Sequence, residues 1–136
     1  MSTYTLSTTV AAPFEPTLTR VREQLGEVGF GVITEIDMAA TMKAKLGVDI
    51  APQVILGACR PGLAHEAMQA DPSIAAMLPC NVVVRAAGDD ATVVETFDPA
   101  FMADLAGDAL RSVAADAGER LAALLAALAP GVGQDD

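Results

Sequence analysis

Tryptophan is absent from this chain, and tyrosine occurs once. With aromatics at 4% of 136 residues, the core has to be built from Val, Leu, Ile, Ala and Met. Two cysteines are too few for a disulfide framework, so the thiols are expected reduced and the chain cytoplasmic. No stretch approaches the roughly 18 consecutive apolar residues of a membrane-spanning helix. The first residues, MSTYTLSTTVAAPFEP, lack a basic segment followed by an apolar one, so no secretory signal is expected. Basic residues are scarce: eight Lys and Arg against eighteen Asp and Glu, a net charge of −10. Phosphate backbones and anionic membranes repel such a chain, which argues against nucleic-acid and membrane partners. GxSxG, GxGxxG, a P-loop and CxxC are all missing, which removes the motifs that would name a chemistry outright.

What is present is a single domain's length with 52% hydrophobic residues. Tyr4 to Val10 alternates roughly, as a first strand at an edge would. Phe14, Leu18, Val21, Leu25 and Val28 recur at steps of four and three, giving one apolar helix face. Residues 31–37 and 53–59 read as strands, with a short helix between them capped by Asp37 and stopped by Gly47. Pro61 opens one small helical piece, and Asp71-Pro72 opens another. The valine run after Cys80 and the run from Thr92 to Phe97 form a hairpin turned at Gly88-Asp89-Asp90. Asp98-Pro99 starts the helical remainder, interrupted at Gly107 and ended by Pro130.

The predicted order is β-α-β-(α)-β-(αα)-β-β-α. The expected fold is α+β, a largely antiparallel five-stranded sheet with two longer helices packed on it. One domain over 1–130 and a flexible acidic tail over 131–136 are expected. Leu110, Ala114, Ala117, Leu121, Leu124 and Leu128 follow a heptad spacing. That seam either packs on its own sheet or makes a helix-mediated dimer.

The phrases GFGVITEIDMAATMKAKLG, VILGACRPGLAHEAM, DPSIAAMLPCNVVV and TVVETFDPAFM occur in this order. They resemble the bacterial and archaeal family called domain of unknown function 302, over nearly the whole chain to about residue 105. The resemblance implies a compact α+β domain with a curved sheet, often self-associated. It implies no activity, as the family's name states.

Three side chains suited to chemistry flank one connection: Cys59, the lone His65, and Cys80. If the strand 53–59 and the valine strand opened by Cys80 are antiparallel, both thiols lie at the same sheet end, where the segment carrying His65 begins. Thiolate and imidazole suit Cu(I) or Zn, although a closed zinc site normally takes four protein ligands. The same residues would serve a thiol enzyme, with Cys80 as redox or nucleophilic centre and His65 as base. Ordinary packing is the plainer reading, since free cysteine is among the most buried residue types. Glu35 and Asp37, two apart on one strand, should share a face and could contact a ligand. A solvated face plus a helix cap is the plainer reading of them. Arg60 and Arg85, each placed near a cysteine, could hold an anionic ligand or make surface ion pairs. The six methionines read as gap-fillers in an aromatic-poor core. Three functions follow as expectations. The first is a homodimeric binding module with a small-ligand or soft-metal site at Cys59, His65 and Cys80. The second is a thiol-dependent enzyme. The third is a structural protein that self-associates.

Overall fold

A computed structural model describes residues 3–129. The expected tail at 131–136 lies outside them. Five strands, β1 (Thr5–Val10), β2 (Gly31–Asp37), β3 (Gln53–Cys59), β4 (Cys80–Ala86) and β5 (Thr92–Phe97), form one sheet in the order β1-β5-β4-β3-β2. Every neighbouring pair is antiparallel. Five helices complete the fold: α1 (Phe14–Glu27), α2 (Met38–Leu46), α3 (Pro61–Ala70), α4 (Ala100–Ala106) and α5 (Arg111–Leu128). A 3₁₀ helix covers Pro72–Met77, where Asp71 accepts from the Ser73 amide. The α+β architecture is the expected one, with α1 and α5 as the longer helices.

Local chemistry explains the boundaries. Asp37 accepts from the Ala40 amide at 2.9 Å and starts α2, and Gly47 ends it at φ 68°, a conformation that favours glycine. Pro61 sits in the first turn of α3, where a missing N–H costs nothing. Asp98 accepts from the Ala100 amide and launches α4.

One face of the sheet is buried. Val54, Leu56 and Ala58 of β3, Val82 and Val84 of β4, and Val94 of β5 meet Leu18, Val21 and Leu25 of α1. Leu121, Leu124 and Leu128 of α5 join the same core. The heptad seam is therefore internal: all six of its residues are buried. Of the two alternatives for that seam, packing on its own sheet holds, and the helix-mediated dimer through it does not. A second core of Ala67, Ile74, Met102, Leu110, Val113 and Ala114 lies among α3, the 3₁₀ helix, α4 and α5. It supports the sheet end where Cys80 lies.

The outer strand β2 is unlike the others. Each of its seven residues is exposed, and α2, which follows it, buries no residue. No helix among the described residues is long and apolar enough to cross a membrane.

Candidate functional site

Antiparallel pairing of β3 and β4 sets Ala58 opposite Cys80. Both thiols thus reach the same sheet end, as the antiparallel alternative required. Side-chain alternation puts Cys80 with Ala58 on the helix-covered face, and Cys59 one step out of phase. The thiols flank one another diagonally, and both are free and partly buried. Burial pushes the Cys80 thiol above its ordinary pKa, and the neighbouring Cys59 adds to the rise.

Two cavities adjoin Cys80. A cleft of about 320 Å³ is lined by Met77, Leu78, Pro79, Cys80, Phe97 and Met102, with Ala76, Asn81 and Pro99 at its borders. A smaller void of about 30 Å³ lies among Cys59, Arg60, Leu63, Ala67, Cys80 and Val113. Cys80, Leu78, Pro79 and Met102 wall both. The Leu78–Pro79 peptide is cis. The Pro79 ring lies against Gly57, where an added Cβ would stand 2.9 Å from Pro79 Cγ and would also collide with Thr34 Oγ1. Glycine at position 57 is thus required by close approach, and it seats the proline beside the cleft.

His65 does not join the thiols. Leu63 and Ala67 turn the inward side of α3 toward the second core, and a residue two positions from each lies about half a turn away. His65 is accordingly exposed and lines neither cavity. Among the described residues, no three His, Cys, Asp or Glu side chains gather closely enough to hold a metal. The three-ligand arrangement of Cys59, His65 and Cys80 is not assembled in this structure.

The remaining candidates separate. Glu35 and Asp37 share a depression of about 410 Å³ with Glu15 and Arg22, at the edge where β2 meets α1. Glu35 pairs with Arg22 at 2.7 Å, and Asp37 caps α2. Arg85 is five residues along β4 from Cys80, roughly 16 Å away at strand rise, so its placement near that cysteine is corrected. It pairs with Glu95 at 2.7 Å, and Thr5 donates to the other Glu95 oxygen. Those two hydrogen bonds, Thr5's first, hold the Glu95 carboxyl below the usual carboxylate range. Arg60 lines the small void and makes no ion pair among the described residues. Sequence reasoning missed the cleft itself. Met77 lies twenty or more residues from Phe97 and Met102, and the β4–β5 hairpin and α4 bring them together.

The family profile described as "Domain of unknown function DUF302" matches residues 6–128. The chain belongs to this family. A solved DUF302 structure, the uncharacterized conserved protein DUF302 from Bacillus stearothermophilus, superposes with a TM-score of 0.84 at 29% identity. The match covers 93% of this chain and 99% of that one. No curated protein matches the chain. DUF302 membership fixes the architecture and assigns no chemistry.

Proposed function

We propose that this DUF302 chain is a binding module that holds a small amphipathic molecule in the Cys80 cleft. The carrying observation is the state and place of Cys80: a thiol kept protonated by burial, walling a cleft of about 320 Å³. That volume lies at the lower end of the range for small-molecule sites, roughly 300–1,000 Å³. Met, Leu, Pro and Phe side chains suit an apolar body, polarizable methionines adapt to varied shapes, and the lining exposes polar atoms almost as much as apolar ones, so a polar group on the ligand also finds partners. A thiol with a raised pKa is the reverse of an activated nucleophile, and the exposed His65 is not placed to serve it as base. Both facts weigh against the enzyme reading. Two thiols fall short of the four ligands of a structural zinc site, and a soft ion such as Cu(I) is the cofactor such a pair would suit.

Protection from alkylation tests this reading. Indole is expected to slow N-ethylmaleimide labelling of Cys80 saturably, and Ala76→Trp, at an exposed border of the cleft, is expected to abolish the protection. Equal labelling rates with and without indole would sink the proposal.

A specific observation also favours self-association. Of nine large hydrophobics exposed among the described residues, six fall in 32–50: Val32, Ile33, Ile36, Leu46, Val48 and Ile50. They border an edge strand whose outer backbone groups are open to another strand. Residues 31–50 carry Glu35, Asp37 and Asp49 against Lys43 and Lys45, a net of −1 in a chain of −10. A second copy meets little net repulsion along this edge. Its occupant is a second β2, paired about a two-fold axis.

A further inference from the structure

We propose that Arg60 and Arg120 together form a binding site for an oxyanion, a carboxylate or a phosphate group. The site does not rest on the Cys80 cleft as a ligand pocket.

Arg60 stands apart from the other arginines. Arg22, Arg85, Arg111 and Arg120 each pair with a carboxylate, and Arg20 donates to the Ala127 carbonyl. Arg60 has no such partner among the described residues, and its Nε is both shielded from solvent and unpaired. A guanidinium group carries five donors in a fixed fork, and a shielded donor left without an acceptor is costly.

Chain geometry brings a second guanidinium to the same place. Gly31 pairs with Cys59, so the turn entering β2 runs beside Arg60. In that turn Gly29 has φ 90°. Arg60 Nη1 lies 2.8 Å, and Arg120 Nη1 3.2 Å, from the point where a Cβ on Gly29 would stand. Those two distances put the nitrogens at most about 6 Å apart, close enough for strong like-charge repulsion. Glycine is what lets both groups close over the backbone here.

Arg120 is held firmly: its Nε donates to Asp116 and its Nη1 donates to the Val28 carbonyl at 2.9 Å. Asp116 offsets one of the two positive charges and leaves the other. In a chain of net charge −10, this is a local positive excess between two forks. A ligand with two or more charged oxygens fits it, one oxygen on each guanidinium. Carboxylates and phosphates share that chemistry.

The test is NMR of the arginine Nε–Hε groups in the full chain, titrated separately with sodium phosphate and sodium acetate against sodium chloride at matched ionic strength. The Arg60 and Arg120 signals are expected to shift saturably with at least one of the two oxyanions, while Arg111 stays still. Tighter binding of phosphate identifies a phosphoryl ligand, and tighter binding of acetate a carboxylate. Arg60→Gln is expected to weaken binding at least about tenfold. If Arg60→Gln does not fold, Arg60→Lys, which keeps the charge and loses the fork, is expected to weaken it measurably while keeping the native circular dichroism. No saturable shift with either salt up to about 50 mM, or titration of the folded Arg60 variant indistinguishable from the parent, overturns the site.

Discussion

Glu95 shows how a single side chain ties stability to pH. Thr5 and Arg85 hydrogen-bond its carboxylate across three strands of the sheet and depress its pKa. A carboxylate depressed in the folded state contributes its full stability above the unfolded pKa and loses it as pH falls through the folded one. Arg85 is 41% exposed, so the gain is modest. Glu95→Gln is expected to lower stability by about 0.5–1 kcal/mol at pH 7. Urea denaturation at a series of pH values should show the difference shrinking below the ordinary carboxylate range. A difference that stays constant down to strongly acidic pH would contradict the assignment. Cys80 is the opposite case among titratable groups: its shift comes first from burial, with the neighbouring Cys59 adding to it, and it keeps the neutral form in place.

At the scale of elements, α5 decides between core and interface. Leu121 and Leu124 are fully buried against the sheet of their own chain. Leu121→Ala is expected to cost about 2–5 kcal/mol in denaturant unfolding while leaving the sedimentation of the folded protein unchanged. A mutant that unfolds at the parent's midpoint but dissociates would place the seam between chains instead. Much of this level was legible in the sequence. The runs at 31–37 and 53–59 carry strand composition to their last residue, and Asp37, Gly47, Pro61 and Gly107 punctuate the helices by local chemistry alone. The site was less legible. That Cys59 and Cys80 share a sheet end follows once β3 and β4 are antiparallel. The outward turn of His65 was encoded in the Leu63–Ala67 spacing, but it could be read only by knowing which side of α3 meets the second core. The cis Leu78–Pro79 bond and the neighbourhood of Phe97, Met77 and Met102 are tertiary facts with no local signal. The fully exposed state of β2 likewise depends on its edge position, which its apolar composition does not announce.

For the whole molecule, two surfaces carry the account. One is the apolar β2–α2 face. Its six exposed aliphatic side chains lie on both sides of the sheet edge, since Val32 stands opposite Ala58 and Ile36 opposite Ile55, so a second copy would join by strand pairing with aliphatic contacts above and below it. Ile33→Lys, on an exposed side chain, is expected to leave the fold intact and shift sedimentation from dimer to monomer; a parent protein that sediments as a monomer at all concentrations would remove this interface. The other surface is the Cys80 cleft at the far end of β4 from Arg85, backed by the second core. The most direct measurement of its role is methyl NMR of the six methionines during titration with indole. The account predicts saturable shifts at Met77 and Met102, which line the cleft, with Met38 and Met42 on α2 unmoved. Shifts spread evenly over all the methionines, or none at saturating indole, would contradict it.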